Sequence, residues 1–333
     1  LALGALRHLK KTLHDTESKS SVKTIDRIGI GGATGIGSII YSLVRIGQFL
    51  NEPDLLNLAT IAASRISQES IASDRQFDLM AGTGGTILGL LALYHATLKP
   101  DILEQAAVCG YYLMKKRVAS ESTFRTWSTL DNKLLTGFSH GAAGISYALL
   151  RLYKATQDSI FLEGAEEAIA YERSVFSTTE GNWPDLRAFV INNGKSSYMN
   201  SWCHGAAGIG LARLGSLMIL DTAEIRHDIA VALKTTQQIG LQNLDRVCCG
   251  NFGRLETLLV AASELSRPEL LETAQRQASQ LVARSKQAGS FYLFSESIRD
   301  VYNPGFFQGT AGIGYELLRL SHSDLLPSVL LLE

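Results

Sequence analysis

A Gly-x-x-Gly motif occurs six times in this chain, and each copy stands just before an apolar run with helical spacing. The intervals between successive first glycines are 50, 59, 64, 45 and 59 residues. Each of these runs is followed by a second apolar run, so the repeating unit is a helical hairpin that buries its apolar face only against its neighbours. The six pairs are Gly32 and Gly35, Gly82 and Gly85, Gly141 and Gly144, Gly205 and Gly208, Gly250 and Gly253, and Gly309 and Gly312.

Six such hairpins without terminal capping units predict a closed ring. The expected fold is all-α, an α/α toroid (double α-barrel) of about six hairpins, with inner helices around a central well and outer helices behind them. Glycine permits a positive φ and a close approach of the incoming loop to the inner helix. All six motifs, called corners one to six below, should then lie at one end of the ring. The predicted outer helices are 55–66, 102–114, 160–171, 223–239 and 270–283.

Three segments depart from the hairpin pattern. Residues 118–136 and 173–200 are rich in Ser, Thr, Asn and Gly, and are predicted to form loops or short ribbons over the mouth of the ring. Residues 1–14 keep an apolar stripe at helical spacing, and residues 15–26 are polar. We therefore expect an N-terminal helix and linker over residues 1–27 and a single domain over residues 28–333.

Charge, hydropathy and cysteine content exclude several classes of partner and compartment. The net charge of −1 gives no electrostatic basis for binding nucleic acid or a membrane surface. Apolar stretches end within about a dozen residues, too short for a membrane span. Four cysteines in 333 residues, two of them adjacent, do not form a disulfide framework. A reducing cytoplasm, with thiols kept for a metal, is the better interpretation.

Three of the four cysteines stand at corners four and five. Cys203 precedes the first glycine of corner four, and Cys248 and Cys249 precede that of corner five. Three protein ligands and one open position form the pattern of a catalytic zinc site. Buried cysteines that only pack are an equally strong alternative on this pattern alone. Cys109 lies inside an outer-helix run and is predicted to pack in the core.

An acid and two histidines stand at the preceding corners. His140 could be a general acid or base near neutral pH, or a hydrogen-bonded loop histidine. His204 directly follows Cys203, so both side chains could not easily reach one metal, and a hydrogen-bonding role is favoured over a secondary functional one. Asp78 could cap the following helix or orient a catalytic partner.

A nucleotide site and a glycosidase site are two alternatives to a metal site. The glycine-rich corner one opens a helix, as phosphate-binding loops do, but it lacks a Gly-Lys-Ser/Thr ending and recurs elsewhere in the chain. A nucleotide site is therefore disfavoured. A glycosidase would need two carboxylates facing the well, for which Asp78, Asp185 and Glu256 are the nearby acids.

Three segments together resemble a known family. They are Ser-Trp-Cys-His-Gly-Ala-Ala-Gly-Ile (201–209), Ser-His-Gly-Ala-Ala-Gly-Ile (139–145) and Cys248-Cys249-Gly250. They resemble the lanthipeptide cyclases, the LanC-like family, in particular the C-terminal cyclase domain of class II (LanM-type) lanthipeptide synthetases. The resemblance covers residues 28–322. It implies an α/α toroid, one zinc ion, and addition of peptide cysteine thiols to dehydroalanine or dehydrobutyrine to form thioether rings.

The resemblance also assigns roles to single residues. Cys203 and Cys248 match the two cysteine ligands of the family, and Cys249 stands where most members have histidine, as in a subgroup with three cysteine ligands. His140 matches the histidine proposed as general acid/base, and Asp78 matches an acid near the site in some members.

The partners that the resemblance implies are a dehydrated precursor peptide and an upstream dehydratase domain of the same polypeptide. Such a domain would explain why the chain begins at Leu1 rather than at methionine. The competing hypothesis is a non-catalytic zinc-binding toroid that serves as a peptide- or protein-binding module.

Overall fold

Thirteen α-helices make up almost all of the regular structure in the residues that the computed structural model describes, which are 4, 6–14, 28–187, 197–294 and 301–333. None of these helices is both long enough and apolar enough to cross a membrane. Helix α1 (Arg7–His14) packs on the first hairpin, while the predicted linker, 15–26, lies outside the described residues. The six inner helices are α2 (Ile36–Leu50), α5 (Thr83–Thr97), α7 (Ala142–Thr156), α9 (Ala206–Ser216), α11 (Asn251–Glu264) and α13 (Thr310–Arg319).

Five outer helices pack behind the inner ones, each against the inner helix that precedes it. The described residues after α13 form a turn and a C-terminal segment instead of a sixth outer helix. A short helix, α4 (Gln68–Ser73), extends the first hairpin. The predicted α/α toroid is confirmed. The outer helices are α3 (Pro53–Ala63), α6 (Pro100–Lys116), α8 (Ser159–Ser174), α10 (Ala223–Gln238) and α12 (Pro268–Ala288).

Helix starts explain this division into inner and outer layers. Three outer helices begin with proline, whose fixed φ suits the first helical position, and the other two have Asp158 or Thr222 as a side-chain N-cap. Five of the inner helices have the first glycine of their corner as N-cap. Helix α5 is buried at every position from Thr83 to Leu93, as expected for a helix surrounded by others.

Backbone hydrogen bonds join successive corners into a continuous chain. Each of corners one to five donates an N–H to a carbonyl of the next corner, over distances of 2.9 to 3.3 Å. The corners therefore lie together at one end of the ring, as predicted, and residues beside them are brought close to one another. The bonds run from Gly32 to Leu79, Leu79 to Ser139, Ser139 to Cys203, Cys203 to Cys248, and Cys248 to Phe307.

The second glycine of a corner is required by a close backbone approach. A Cβ on Gly208 would lie 1.9 Å from the carbonyl oxygen of Trp202, and one on Gly144 would lie 2.0 Å from that of Phe138. No side chain fits at such distances, so the loop can lie directly on the first turn of the inner helix only when glycine is present. Gly205 adds a φ of 81°, in the left-handed region.

Corner one begins three residues later than the motif suggested. Helix α2 starts at Ile36, which makes Gly35 the N-cap instead of Gly32. Ser38 then takes the place of the second glycine, because its N–H bonds to the carbonyl seven residues earlier, that of Gly31. The additional glycines of this loop obscured the register in the sequence.

The amides of corner one are already engaged. Gly32 N–H donates to the carbonyl of Leu79, and the N–H groups of Ala33 and Thr34 both donate to the carbonyl of Met80. A phosphate-binding loop needs such N–H groups to point at the ligand. These three N–H groups are therefore not available to a phosphate group.

The second half of the first insertion reaches corner three, where Thr129 Oγ1 donates to the His140 carbonyl at 2.6 Å, but the first half does not lie over the mouth as predicted. It forms a ribbon in which β1 (Val118–Ala119) pairs antiparallel with β2 (Arg125–Thr126). Arg125 pairs with Glu167 of α8 at 2.8 Å, so the ribbon lies against an outer helix. The second insertion contains isolated bridges and is described except for residues 188–196.

The C-terminal segment fills the centre of the ring. Leu330 and Leu331 are buried, and the Leu330 carbonyl accepts a hydrogen bond from Trp202 Nε1 at 3.1 Å. Tyr41 of α2 donates from Oη to the Glu333 carbonyl at 2.9 Å. The ring is therefore not an open channel, and the sequence pattern did not indicate this plug.

Candidate metal centre and catalytic site

Three thiols meet where corners four and five join. The Sγ atoms of Cys203, Cys248 and Cys249 all lie within 4.8 Å of one another. The bond from Cys203 N–H to the Cys248 carbonyl sets this proximity, because it holds the two loops edge to edge. Cys203 and Cys248 are buried and Cys249 is half-buried. The structure thus brings together all three predicted ligands, while the fourth cysteine, Cys109, is fully buried inside α6.

The spacing of these sulfur atoms fits a zinc ion. A tetrahedral site with Zn–S bonds of about 2.3 Å places its sulfurs about 3.8 Å apart, so the thiols need only small rotations to close on the metal. In the described part of the chain, no other group of three His, Cys, Asp or Glu side chains is arranged to hold a metal. The donor set also matches, since thiolate sulfur is a preferred zinc ligand.

Without a metal, the negative charge of the cluster resides on Cys249. Hydrogen bonds from the Cys203 and Cys248 thiols, followed by the Arg246 guanidinium, lower the pKa of Cys249 to about 2. The hydrogen bond with Cys248 opposes a rise in the pKa of Cys203, but the bond with Cys249 and burial outweigh it and raise that pKa to about 12. Hydrogen bonds with Cys203 and Cys249, together with burial, raise the pKa of Cys248 well above its usual range. In this cluster the Cys249 thiolate thus accepts hydrogen bonds from the thiols of Cys203 and Cys248.

His140 and Asp78 form a pair beside this cluster. His140 Nδ1 lies 2.6 Å from Asp78 Oδ2, and Asp78 is fully buried whereas the His140 side chain is 25% exposed. Asp78 Oδ1 also accepts from the N–H groups of Ala81 at 2.8 Å and Gly82 at 3.2 Å. Asp78 therefore closes its own loop and contacts the histidine, but it does not cap helix α5, whose first N–H, that of Thr83, donates to Asp74 instead. With Nδ1–H held by the carboxylate, Nε2 is the nitrogen left for a substrate.

His204 packs against His140 instead of pointing to the thiols' metal position. Its ring is stacked on that of His140 with centroids 6.0 Å apart, and it is only 1% exposed. Burial, followed by the Arg187 guanidinium, lowers the pKa of His204 to about 4. The Thr136 backbone favours the charged ring, yet neither ring nitrogen makes a well-aligned hydrogen bond. His204 is thus a neutral packing partner in the metal-free protein.

Two arginines approach the thiols, and the sequence analysis missed both. Arg246 Nε donates to Cys249 Sγ at 3.1 Å. Arg187 forms a two-point ion pair with Asp185, at 2.9 and 2.5 Å, and its Nη2 lies 3.9 Å from Met199 Sδ. Burial lowers the pKa of Arg187, but Asp185 and the nearby cysteine thiols outweigh that effect. Arg187 comes from the irregular second insertion, where no periodic pattern could have located it.

Aromatic side chains form a floor below the thiols. Trp202 stacks on Phe307 with ring centroids 5.2 Å apart and packs against Phe138 at 5.5 Å. Each of these aromatic residues stands two or three residues before the first glycine of a corner: Phe138 at corner three, Trp202 at corner four and Phe307 at corner six. That recurrent aromatic position was visible in the sequence and could have indicated the floor.

The three acids considered for a glycosidase each have an internal partner. Asp78 is held by His140 and Asp185 by Arg187, as described above. Glu256 is buried in α11, and its Oε1 lies 2.9 Å from Arg319 Nη2 and accepts from Ser328 at 2.5 Å. These three acids therefore do not form the pair of carboxylates, facing the well, that glycoside hydrolysis needs.

Comparisons with solved structures identify the same fold in several proteins. Nisin cyclase superposes with a TM-score of 0.63 and 17% sequence identity, over 97% of this chain and 89% of that chain. A sugar epimerase from a ruminal bacterium gives a TM-score of 0.53 and 13% identity, over 83% of this chain and 86% of its own. A polysaccharide lyase gives 0.54 and 13%, over 97% and 99% of the two chains. At these identities the likeness shows the toroidal fold alone.

Sequence comparisons are more specific. The lacticin 481/lactococcin biosynthesis protein LcnDR2 of Lactococcus lactis subsp. lactis is 29% identical over 117 residues, which is 34% of this chain and 12% of that much longer protein. The family model for lanthionine synthetase C-like proteins matches residues 2–331. These results agree with the enzyme class predicted from the sequence, a lanthionine synthetase cyclase. Because the family model spans nearly every residue, the chain belongs to the lanthionine synthetase C-like family.

Proposed function

We propose that this chain is a zinc-dependent lanthipeptide cyclase. It joins cysteine thiols of a dehydrated precursor peptide to dehydroalanine or dehydrobutyrine residues and forms (methyl)lanthionine thioether rings. The observation that carries the proposal is the convergence of three thiols within 4.8 Å beside the His140–Asp78 pair. Family membership supports it.

Cys203, Cys248 and Cys249 would hold the zinc ion. Bound there, zinc supplies the Lewis acidity that deprotonates a coordinated substrate thiol near neutral pH. The half-buried Cys249 marks the accessible side of the cluster, where a peptide thiol would enter. The aromatic floor of Trp202 and Phe307 excludes water from the buried side.

His140 is the proposed proton donor for the second half of the reaction. Attack of the substrate sulfur on the β-carbon forms the C–S bond and moves the π electrons into an enolate, which needs a proton at its α-carbon. His140 can deliver that proton from Nε2, because Nδ1 is fixed by Asp78. Asp78 stays ionised in this scheme and stabilises the positive charge whenever the imidazole is doubly protonated.

We further propose that an upstream dehydratase domain of the same polypeptide prepares the substrate. The similarity to a short part of a much longer biosynthesis protein supports this arrangement. Within the chain, residues 1–27 would be a helix and linker and residues 28–333 the cyclase domain. A cytoplasmic location is proposed because thiols reserved for a metal need a reducing compartment.

The test combines zinc stoichiometry with ring formation on a dehydrated peptide. Ring closure does not change the peptide mass, so the remaining free thiols are counted by alkylation and mass spectrometry. One zinc per wild-type chain is expected. Cys203→Ala should lose both zinc and ring formation, whereas the core variant Cys109→Ala should keep both. His140→Asn should keep its zinc but form rings more slowly than the wild type.

The outcomes separate the competing hypotheses. Stoichiometric zinc without thioether formation would favour the non-catalytic binding module. A wild-type protein that is fully reduced and binds no zinc would refute the proposed site.

A further inference from the structure

A site built from three thiolates has a charge problem. Cys203, Cys248 and Cys249 together carry three negative charges when they hold a metal, one more than a divalent cation neutralises. Two of them are buried, where an uncompensated charge is costly. A cation of the protein itself should therefore lie against the cluster.

Arg246 meets this requirement at Cys249. Its Nε–H donates to Cys249 Sγ at 3.1 Å, a close contact for a hydrogen bond to sulfur. The Arg246 guanidinium also lies 5.6 Å from the centroid of the Phe294 ring, a second contact that limits its freedom to rotate.

The residue before Arg246 is held by three partners. The Asp245 carboxylate accepts from Tyr292 N–H and from Asn251 Nδ2, both at 2.8 Å, and is also paired with Arg284. These three partners anchor the loop just before corner five. The loop that carries Arg246 is thus fixed immediately before that residue.

A nearby buried arginine, Arg254, is bound to other groups. It donates to the Asn200 carbonyl at 3.1 Å and to Asn251 Oδ1 at 2.5 Å, so its guanidinium supports the loops around corner four and corner five. Arg254 contributes a positive field near Cys249, while Arg246 makes the direct contact with the sulfur.

We propose that Arg246 is a positioning residue of the metal site: its hydrogen bond holds Cys249 Sγ in place and offsets the charge of the third thiolate. This inference depends on the proposed zinc site. It predicts that Arg246 affects zinc affinity only when residue 249 is a thiolate. A histidine at this position would be neutral and would offer the guanidinium no negatively charged acceptor.

The test is a double-mutant cycle on zinc affinity, measured with a competing chelator. Arg246→Met should raise the zinc dissociation constant about 10- to 100-fold, as loss of an outer-shell partner does. The same change in a Cys249→His background should alter it by less than about 3-fold. Arg246→Lys should restore part of the loss. Arg226→Met, which removes an exposed arginine paired with Asp221, is the matched control and should bind like wild type.

A spectroscopic measurement separates this role from general loss of structure. With cobalt in place of zinc, Arg246→Met should shift the thiolate-to-metal charge-transfer band to longer wavelength, because the sulfur lone pair loses a stabilising donor. An unchanged band, an unchanged dissociation constant, or an equal loss in both backgrounds would overturn the inference while leaving the zinc site intact. A wild-type protein without stoichiometric zinc would overturn the proposed function as well.

Discussion

The pair of His140 and Asp78 can be tested by changing one atom of the carboxylate. In Asp78→Asn, the amide oxygen can still accept from the N–H groups of Ala81 and Gly82, so the loop keeps both of its hydrogen bonds. The amide nitrogen then replaces Oδ2 beside His140 Nδ1. Since an amide N–H₂ only donates, the histidine must present Nδ1 as an acceptor and carry its proton on Nε2.

The size of the effect follows from the hydrogen bond that is lost. A hydrogen bond to a charged group contributes about 1.5–3 kcal/mol, and Asp78 is fully buried, so the upper part of that range applies. If the carboxylate stabilises the doubly protonated imidazole during proton transfer, the rate of ring formation should fall about 40- to 150-fold. Zinc content should not change, because Asp78 does not touch the thiols.

The assay is the rate of thiol loss on a dehydrated peptide at saturating zinc, with unfolding by urea measured in parallel. Asp74→Asn is the matched control, since Asp74 makes the same kind of loop contacts, to Thr83 N–H at 2.8 Å and Thr83 Oγ1 at 2.5 Å, but does not contact His140. It should keep the wild-type rate. A wild-type rate in Asp78→Asn would refute the proposed role of the pair.

Three further predictions concern the scaffold. Gly208→Ala should destabilise the protein by about 1–3 kcal/mol in urea unfolding, because its Cβ would lie 1.9 Å from the Trp202 carbonyl oxygen. Arg213→Met should cost about 3–5 kcal/mol at neutral pH, since it leaves the fully buried Glu172 carboxylate, 2.7 Å from Arg213, without its ion pair. Burial, and then a neighbouring carboxylate, raises the pKa of Glu316 well above 4.5, so the folded state holds a proton that the unfolded state releases. The contribution of this carboxyl group to the free energy of unfolding should therefore fall as pH rises above 4.5. In Glu316→Gln this pH dependence should be absent. The ratio of the unfolding equilibrium constants of wild type and variant should therefore change by up to tenfold per pH unit, until Glu316 ionises in the folded wild type.

Matched variants control for these scaffold effects. Gly314→Ala places its Cβ where no atom lies within 4 Å and should leave stability unchanged or raise it slightly. A Gly208→Ala variant as stable as Gly314→Ala would show that the close approach is not required. Equal stability of Arg213→Met and wild type, or parallel pH curves for Glu316→Gln and wild type, would contradict the other two predictions.

The repeat made most of the fold predictable. Outer helices expected at 102–114 and 160–171 were observed at Pro100–Lys116 and Ser159–Ser174, because apolar periodicity and the proline and Asp158 starts act within one helix. The convergence of Cys203, Cys248 and Cys249 was also predictable, because residues at equivalent positions of a closed repeat lie at one end.

What the sequence determined by itself was thus the set of local patterns: helix starts, apolar faces, and glycines where a loop touches a helix. Only the tertiary structure decided which distant groups became partners. It placed Arg246 on Cys249, Asp78 on His140, and the C-terminal segment under Trp202. The physical reason is that such contacts depend on side-chain direction and on the distance between elements far apart in the chain, and neither leaves a period in the sequence.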